Sequence, residues 1–224
     1  MNRPVHTAPA GLVGRLRPDL QLVADMIDPG ARVLDIGCAD GALLQYLGQF
    51  KDVDGRGMEL SQAGVNACVA QGLPVIQGDA DRDLADYPDD AFDYVILSQS
   101  LQVMRYPREV LAQMLRIGHK AVVSFPNFGH WRVRWHLLAR GRMPVTPALP
   151  QSWYNTPNIH ICTISDFVDL CAEMKVRIER GIAVDHAGRM GAVGRARRLA
   201  NLLGEQGVFL LSRAGTPDRS DPSA

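Results

Sequence analysis

Acidic residues at the ends of three apolar runs are the residues best suited to chemistry in this chain. Asp35 lies near the end of the first run, Glu59 follows the second, and Asp79 comes two residues after the third. A carboxylate accepts hydrogen bonds from hydroxyl, amino and ammonium groups. Together with the glycine loop that follows the first run, these acids indicate a pocket for a nucleotide-like ligand, and they favour positive charge on it.

The first run leads into a loop with two glycines, in the stretch VLDIGCADG. Glycine lets a ligand approach the backbone, and the helix expected to follow offers free amide groups. A dinucleotide-binding loop would read G-x-G-x-x-G. Counted from Gly37, the other two glycine positions are Ala39 and Ala42, which weakens the dinucleotide interpretation.

The same loop resembles that of class I S-adenosylmethionine-dependent methyltransferases. In that family the first strand ends D/E-x-G-x-G-x-G, and Asp35, Gly37 and Gly41 match it here. Ala39 replaces the middle glycine. If this position requires a positive φ, the alanine costs roughly 1 kcal/mol and affects cofactor affinity.

The resemblance extends to the later strand ends. It implies that Glu59 holds the ribose hydroxyls and that Asp79 lies near the adenine amino group, while Ser98 ends the strand where cofactor and substrate contacts lie. The implied ligand is S-adenosylmethionine or its demethylated product, S-adenosylhomocysteine. The implied binding residues are Asp35, Gly37, Cys38, Ala39, Gly41, Glu59, Leu60, Asp79, Ala80 and Ser98.

Longer strings over about residues 17–189 resemble the MetW family of bacterial methionine biosynthesis proteins. They include QGDAD, FDYVILSQSLQ, VVSFPNFGHWRVRWHLLARGRMPVT and WYNTPNIHICTISDF, and they are more specific than the cofactor loop. The resemblance implies an accessory protein or regulator of a homoserine O-acyltransferase. The alternative is a methyltransferase acting on a small molecule, with action on RNA a weaker option.

No residue is assigned as catalytic. His160 is the one candidate general base, and a structural hydrogen-bonding role competes with it. Gln99 and Gln102 either orient an acceptor or cap the fourth strand. The histidines lack metal-ligand spacing and the cysteines form no CxxC pair, so we expect no metal site.

The stretch HWRVRWHLLARGR, residues 130–142, has three interpretations. Trp131, Trp135 and Leu138 recur at spacings of four and three, which places them on one helix face. The stretch is a lid helix whose arginines face water, a docking surface for the acyltransferase, or an RNA-binding element. Tryptophan and arginine dominate protein interfaces, whereas basic and aromatic residues together also suit RNA.

Strand-like and helical patterns alternate five times, which predicts a parallel α/β sheet with helices on both faces. We expect seven strands in a Rossmann-like methyltransferase arrangement, with Val176–Val184 and Val208–Ser212 forming an antiparallel edge. We further expect a flexible arm over residues 1–12, a single domain over 13–214 and a disordered tail over 215–224. Residues 126–161 fit the alternation poorly and are expected to form a lid.

Charge and composition narrow the function classes. The net charge is zero, so no bulk attraction to nucleic acid or membrane is expected. The distribution is uneven, because residues 33–93 hold 12 acids and three bases, whereas residues 110–165 hold no acid. Dispersed cysteines, no apolar signal segment and no long apolar run favour a reducing cytoplasm.

Overall fold

The computed structural model describes residues 16–146, 149–185, 188–194 and 196–214. The predicted arm, residues 1–12, and the predicted tail, residues 215–224, lie outside these ranges. The strands are β1 (Arg32–Ile36), β2 (Asp54–Glu59), β3 (Val75–Gln77), β4 (Phe92–Ser98), β5 (Gly118–Pro126), β6 (Val176–Val184), β7 (Met190–Ala192) and β8 (Gln206–Arg213). The helices are α1 (Pro18–Asp25), α2 (Ala42–Lys51), α3 (Gln62–Ala70), α4 (Ala80–Asp83), α5 (Pro107–Ile117), α6 (Trp131–Arg140), α7 (Ile164–Glu173) and α8 (Arg197–Leu203).

The strands form one sheet in the order β3-β2-β1-β4-β5-β8-β6-β7. Strands β1 to β5 run parallel to one another, and β8 joins β5 in the antiparallel sense. This confirms the mostly parallel sheet with an antiparallel edge.

The prediction of seven strands is wrong by one, because the described residues contain eight. The additional strand is β7, which pairs antiparallel with the end of β6. Its residues Met190–Ala192 are all exposed. They lie in the glycine-rich basic stretch GRMGAVGR, where no apolar alternation marks a strand.

Helices cover both faces of the sheet, as predicted. On one face, Val23 of α1 and Leu47 of α2 pack against the apolar side chains of β1, β4 and β8. On the other face, α5 and α7 supply Met114 and Phe167 to a larger core with β4 and β5. Because helices pack on both faces, the sheet is rigid, and the ends of its strands keep constant positions.

The order of strands in the sheet reverses between β1 and β4. The chain runs from β1 outwards through β2 to β3, and then crosses to β4 on the other side of β1. These two strands are neighbours, although β2 and β3 intervene in the sequence. Ligands in open α/β sheets bind outside the carboxyl ends of the strands at such a point. The loops after Ile36, Glu59 and Ser98 meet there.

Candidate functional site

The loop after β1 contains three residues in the left-handed region. Gly37, Ala39 and Gly41 have φ values of 70°, 50° and 80°. The two glycines are also tightly packed, because an added Cβ at Gly37 would lie 2.8 Å from Ser100 Oγ and one at Gly41 2.4 Å from Leu73 Cδ1. The alternating glycine pattern thus has a conformational cause, and Ala39 departs from it at a position that favours glycine.

Glu59, at the end of β2, holds this loop by its side chain. Its Oε2 accepts a hydrogen bond from the Ala39 amide at 2.9 Å, and its Oε1 accepts one from the Ser61 amide at 2.8 Å. Each carboxylate oxygen can accept a further bond. Glu59 is therefore oriented in advance and still able to accept two hydroxyl donors.

Asp35 is buried in β1, with an exposed fraction of 3%. Burial, and then the negative charge of Glu59, raise the pKa of Asp35 to about 7. Within the described residues its carboxylate has no hydrogen-bond donor. A cation placed beside it would favour its ionised form, which suits the ammonium or sulfonium group of the expected cofactor.

Asp79 caps the short helix α4. Its Oδ1 accepts a hydrogen bond from the Asp81 amide at 3.1 Å, and its own amide donates to Asp83 Oδ2 at 2.7 Å. Asp79 and Ala80 are half-buried, and across the site the Leu60 side chain is 66% exposed. A fixed carboxylate and a bare apolar side chain match what an adenine ring requires, an acceptor and a flat contact.

The end of β4 supplies the third side of the site. Ser98 Oγ lies 3.1 Å from Ser124 Oγ of β5. Gln99 has φ of 53° and donates its amide to the Ser124 carbonyl at 2.9 Å. Sequence reasoning missed Ser124, although a polar residue inside the apolar run KAVVSF is a signal for such a contact.

Two side-chain amide atoms at this end of β4 are buried and have no hydrogen-bond partner among the described residues. They are Nε2 of Gln99 and Oε1 of Gln102. The Gln102 side chain is fixed, because its Nε2 donates to the Gln99 carbonyl at 2.6 Å. A buried unpaired polar atom costs about 1–3 kcal/mol, so this donor and this acceptor are suited to a bound polar group.

Cys38 contributes to the loop through its backbone. Its carbonyl accepts the Gly41 amide at 2.8 Å, while its side chain lies in a small apolar cluster with Leu44 and Cys68. Burial raises the pKa of the Cys38 thiol far above its usual range. This thiol is a packing group and not an activated nucleophile.

Residues 126–161 comprise the end of β5, the helix α6 and a long irregular segment. That segment reaches the site's border, because the Gln102 carbonyl accepts the amides of Ile159 and His160 at 2.8 and 3.0 Å. His160 Nε2 lies 3.3 Å from the Arg105 carbonyl oxygen, and His160 is exposed. The ring thus has a backbone partner, which favours the structural role over that of a general base.

Helix α6 turns its apolar face towards solvent. Trp131, Trp135 and Leu138 are 45%, 64% and 80% exposed, whereas Val133 on the opposite side is 4% exposed. Arg134 Nε donates to the carbonyl of Gly129 at 2.6 Å. Arg132, Arg134 and Arg140 are also exposed, as the lid interpretation expects, and the lid itself stays a prediction.

Two other kinds of feature, a metal-ligand cluster and a membrane-spanning helix, are absent from the described residues. No group of three or more metal-ligating side chains occurs in the part of the chain that the structure describes. Within the same residues, no helix has the length and apolar character needed to cross a bilayer.

Comparisons with known proteins agree with this geometry. The sequence model of the family described as methionine biosynthesis protein MetW matches residues 17–211. The bifunctional methionine biosynthesis protein MetXA/MetW of Rhodopirellula baltica is 35% identical over 179 residues, which cover 76% of this chain. The same stretch spans only 29% of that relative's length.

Solved structures show the fold. A possible histamine N-methyltransferase from Thermotoga maritima superposes with a TM-score of 0.64 at 16% identity, covering 88% of this chain and 87% of the other. The [4+2]-cyclase SpnF superposes with a TM-score of 0.60 at 20% identity, covering 87% and 80%. This chain thus has the methyltransferase fold, which also occurs in a protein named for a different reaction.

Proposed function

The chain belongs to the MetW family of methionine biosynthesis proteins, and on that premise we propose that it binds S-adenosylmethionine or S-adenosylhomocysteine. The binding residues are those of the loop after β1 together with Glu59, Leu60, Asp79, Ala80 and Ser98. When bound, S-adenosylmethionine supplies a cationic sulfonium with a transferable methyl group.

The single observation that carries this proposal is the set of acids at neighbouring strand ends. Among the described residues, Asp35 is buried without a hydrogen-bond donor, Glu59 is fixed by two amides, and Asp79 has a hydrogen bond to only one of its carboxylate oxygens. A ligand with an ammonium, two ribose hydroxyls and an adenine amino group supplies donors to all three. A dinucleotide's phosphates would instead meet negative charge.

We further propose that the chain acts as an accessory protein of a homoserine O-acyltransferase. The support is the relative from Rhodopirellula baltica, whose name joins a MetXA unit and a MetW unit in one protein. We take the MetXA unit to be the acyltransferase. Two activities fused in one chain are held at high effective concentration, which favours a physical association where they are separate chains.

The segment 130–142 is our candidate for the docking surface. Its tryptophans are exposed on one face of α6, and an exposed aromatic face beside arginines has the composition of an interface core. Near the end of residues 126–161, which we call the insert, Ile159 and His160 donate their amides to the Gln102 carbonyl at the site's border. A ligand that prefers one position of this insert would change affinity for the partner by linkage.

Co-purification with activity assays tests this function. The acyltransferase is assayed alone, with this chain, and with this chain plus S-adenosylmethionine. We expect a stable complex and an acyltransferase rate that changes with both additions. Absence of a complex together with an unchanged rate would contradict the accessory role.

A second candidate function is methyl transfer to a small molecule. The observation that favours it is the unpaired donor of Gln99 and acceptor of Gln102 beside the end of β4, where they can orient a polar acceptor. Such a transfer relies mainly on positioning. Incubation of metabolite pools with cofactor labelled in the methyl group tests it, and no labelled product would count against it.

A further inference from the structure

The insert contains an apolar concavity of about 300 Å³, which we call the socket. Phe128, Met143, Trp153 and Ile161 line it, together with Pro144 and Leu149. Met143 and Trp153 are 41% and 72% exposed, so the socket opens to solvent. A concavity of this size and lining accommodates one or two large apolar side chains.

The socket is connected to helix α6. A second cavity, of about 220 Å³, lies between α6 and the segment after it, and Arg132, Val133 and Val145 contribute to its wall. Leu149 lines both cavities. Backbone hydrogen bonds of 3.0 Å in both directions join Leu149 to Thr146. The socket and α6 are therefore parts of one surface.

The charges that the insert itself contributes to this surface are basic. Residues 110–165 contain no acid, and Arg132, Arg134, Arg140 and Arg142 occur in or directly after α6. Glu205, which lies 3.6 Å from Arg132, is a counter-charge from outside the insert. An apolar centre with a basic rim complements an apolar projection with an acidic rim.

Resting on the proposed function, we propose that the socket receives an apolar side chain projecting from an acidic face of the homoserine O-acyltransferase. The exposed face of α6, with Trp131 and Trp135, packs beside it. Fully buried aromatic anchors and the pockets they meet supply most of the affinity of such interfaces. The basic rim steers the approach and fixes the orientation of the two proteins.

The same charge argues against a second copy of this chain as the occupant. If two inserts met face to face, the arginines of both rims would approach one another without acids from residues 110–165 to pair with them. Like charges in contact oppose association. An acidic partner would pair with these arginines, whereas in a face-to-face dimer of this chain the arginines would repel one another.

Affinity measurements on the full chain and the acyltransferase test the socket. Met143→Glu places a charge in its wall, and Trp135→Ala removes an anchor from the face of α6. The matched control is Ile76→Glu, because Ile76 is 50% exposed on the edge strand β3, which β2, β1 and β4 separate from β5, where the insert begins. Thermal unfolding and cofactor binding of each variant establish that it is folded.

We expect Met143→Glu to weaken the complex by roughly 30-fold or more, and Trp135→Ala by about 10-fold or more. Ile76→Glu should change affinity by less than about 2-fold, and added salt should weaken the wild-type complex. A complex that both insert variants leave unchanged overturns the socket while preserving the accessory role. Absence of any wild-type complex overturns the accessory role itself.

Two further measurements test other occupants of the socket, namely a second copy of this chain and an anionic membrane surface. Sedimentation of the wild-type chain alone reports self-association, and flotation with phosphatidylserine-containing vesicles reports binding to an anionic surface. Self-association or vesicle binding that Met143→Glu abolishes would overturn the assignment to the acyltransferase. A monomeric chain that ignores the vesicles supports it.

Discussion

The carboxylate of Asp81 accepts the backbone amide of Arg105, with its two oxygens at 3.1 and 2.9 Å from the nitrogen. It also accepts the neighbouring amide of Tyr106 at 3.0 Å. Asp81 lies in α4, two residues after Asp79, and Arg105 offers its carbonyl to His160. One side chain therefore connects the candidate adenine-binding turn to the turn that contacts the insert.

Replacing Asp81 with alanine should loosen this connection. Two backbone amides lose their acceptor, and because water reaches them we expect a loss of about 1 kcal/mol in the free energy of unfolding. Urea denaturation measures it. Asp86→Ala is the control, since Asp86 is exposed in the same connection and should change the value by less than about 0.5 kcal/mol. Equal effects of the two substitutions would contradict the connecting role.

Ala39→Gly should stabilise the protein. Alanine in the left-handed region costs about 1–2 kcal/mol, and the greater freedom of glycine in the unfolded chain offsets about 0.5–1 kcal/mol of the gain. Thermal and urea unfolding measure the difference. Ala42→Gly, at the start of α2, is the matched control and should destabilise, because that residue is helical. If Ala39→Gly destabilised as much, the strain at φ of 50° would be negligible.

Gly64→Ala should reduce cofactor affinity. A Cβ at Gly64, on α3, would lie 2.6 Å from Glu59 Cγ and 2.9 Å from the Ala39 carbonyl oxygen. Glu59 or the loop must then shift, and we expect the affinity for S-adenosylmethionine to fall by about 10-fold or more. Calorimetric titration measures it.

Gly48→Ala is the control for that substitution. Gly48 lies on α2, and the nearest atom to an added Cβ is the Val53 carbonyl oxygen at 4.0 Å. This change should leave affinity unaltered and stabilise the helix by up to about 1 kcal/mol. Unchanged affinity in both variants would mean that the contact between α3 and Glu59 does not position the site.

The stability of the cofactor-free protein should depend on Asp35 between pH 4 and 7. Its pKa is raised to about 7 in the folded state, against about 3.9 in an unfolded chain. The folded state therefore holds a proton that the unfolded state releases, so the free energy of unfolding falls as pH rises through this window. Asp35→Asn should lack this contribution. Parallel pH profiles of the two proteins would contradict the assignment.

Local sequence signals predicted most of the fold. Val176–Val184 was predicted to the residue. Serine is a preferred residue at a helix start, and Ser61 caps α3, with its Oγ accepting the Gly64 amide at 3.1 Å. The strand β7 and the helix α8 had no comparable signal, because glycines and arginines interrupt their apolar pattern. β7 forms by pairing with the nearby end of β6, and α8 packs against β6, so the pattern of their own residues does not mark either element.

Candidate site residues could be predicted where ligand chemistry dictates the type of residue. They could not be predicted where packing in the folded chain brings residues together. The sequence placed the acids Asp35, Glu59 and Asp79 at neighbouring strand ends, where the structure has them, and their role in binding a ligand stays a proposal. Periodicity placed Trp131 and Trp135 on one face of α6 but could not tell which face packs inward. The contact between Gly64 and Glu59 joins residues whose proximity only the folded loop creates.

The most direct test of the cofactor site is calorimetric titration with S-adenosylmethionine of the wild-type chain and of Glu59→Ala. Asp54→Asn is the control, because Asp54 is an exposed acid at the other end of β2. We predict one cofactor per wild-type chain, at least about 10-fold weaker binding by Glu59→Ala, and unchanged binding by Asp54→Asn. A wild-type chain that binds neither S-adenosylmethionine nor S-adenosylhomocysteine would contradict the account, and so would equal binding by Glu59→Ala.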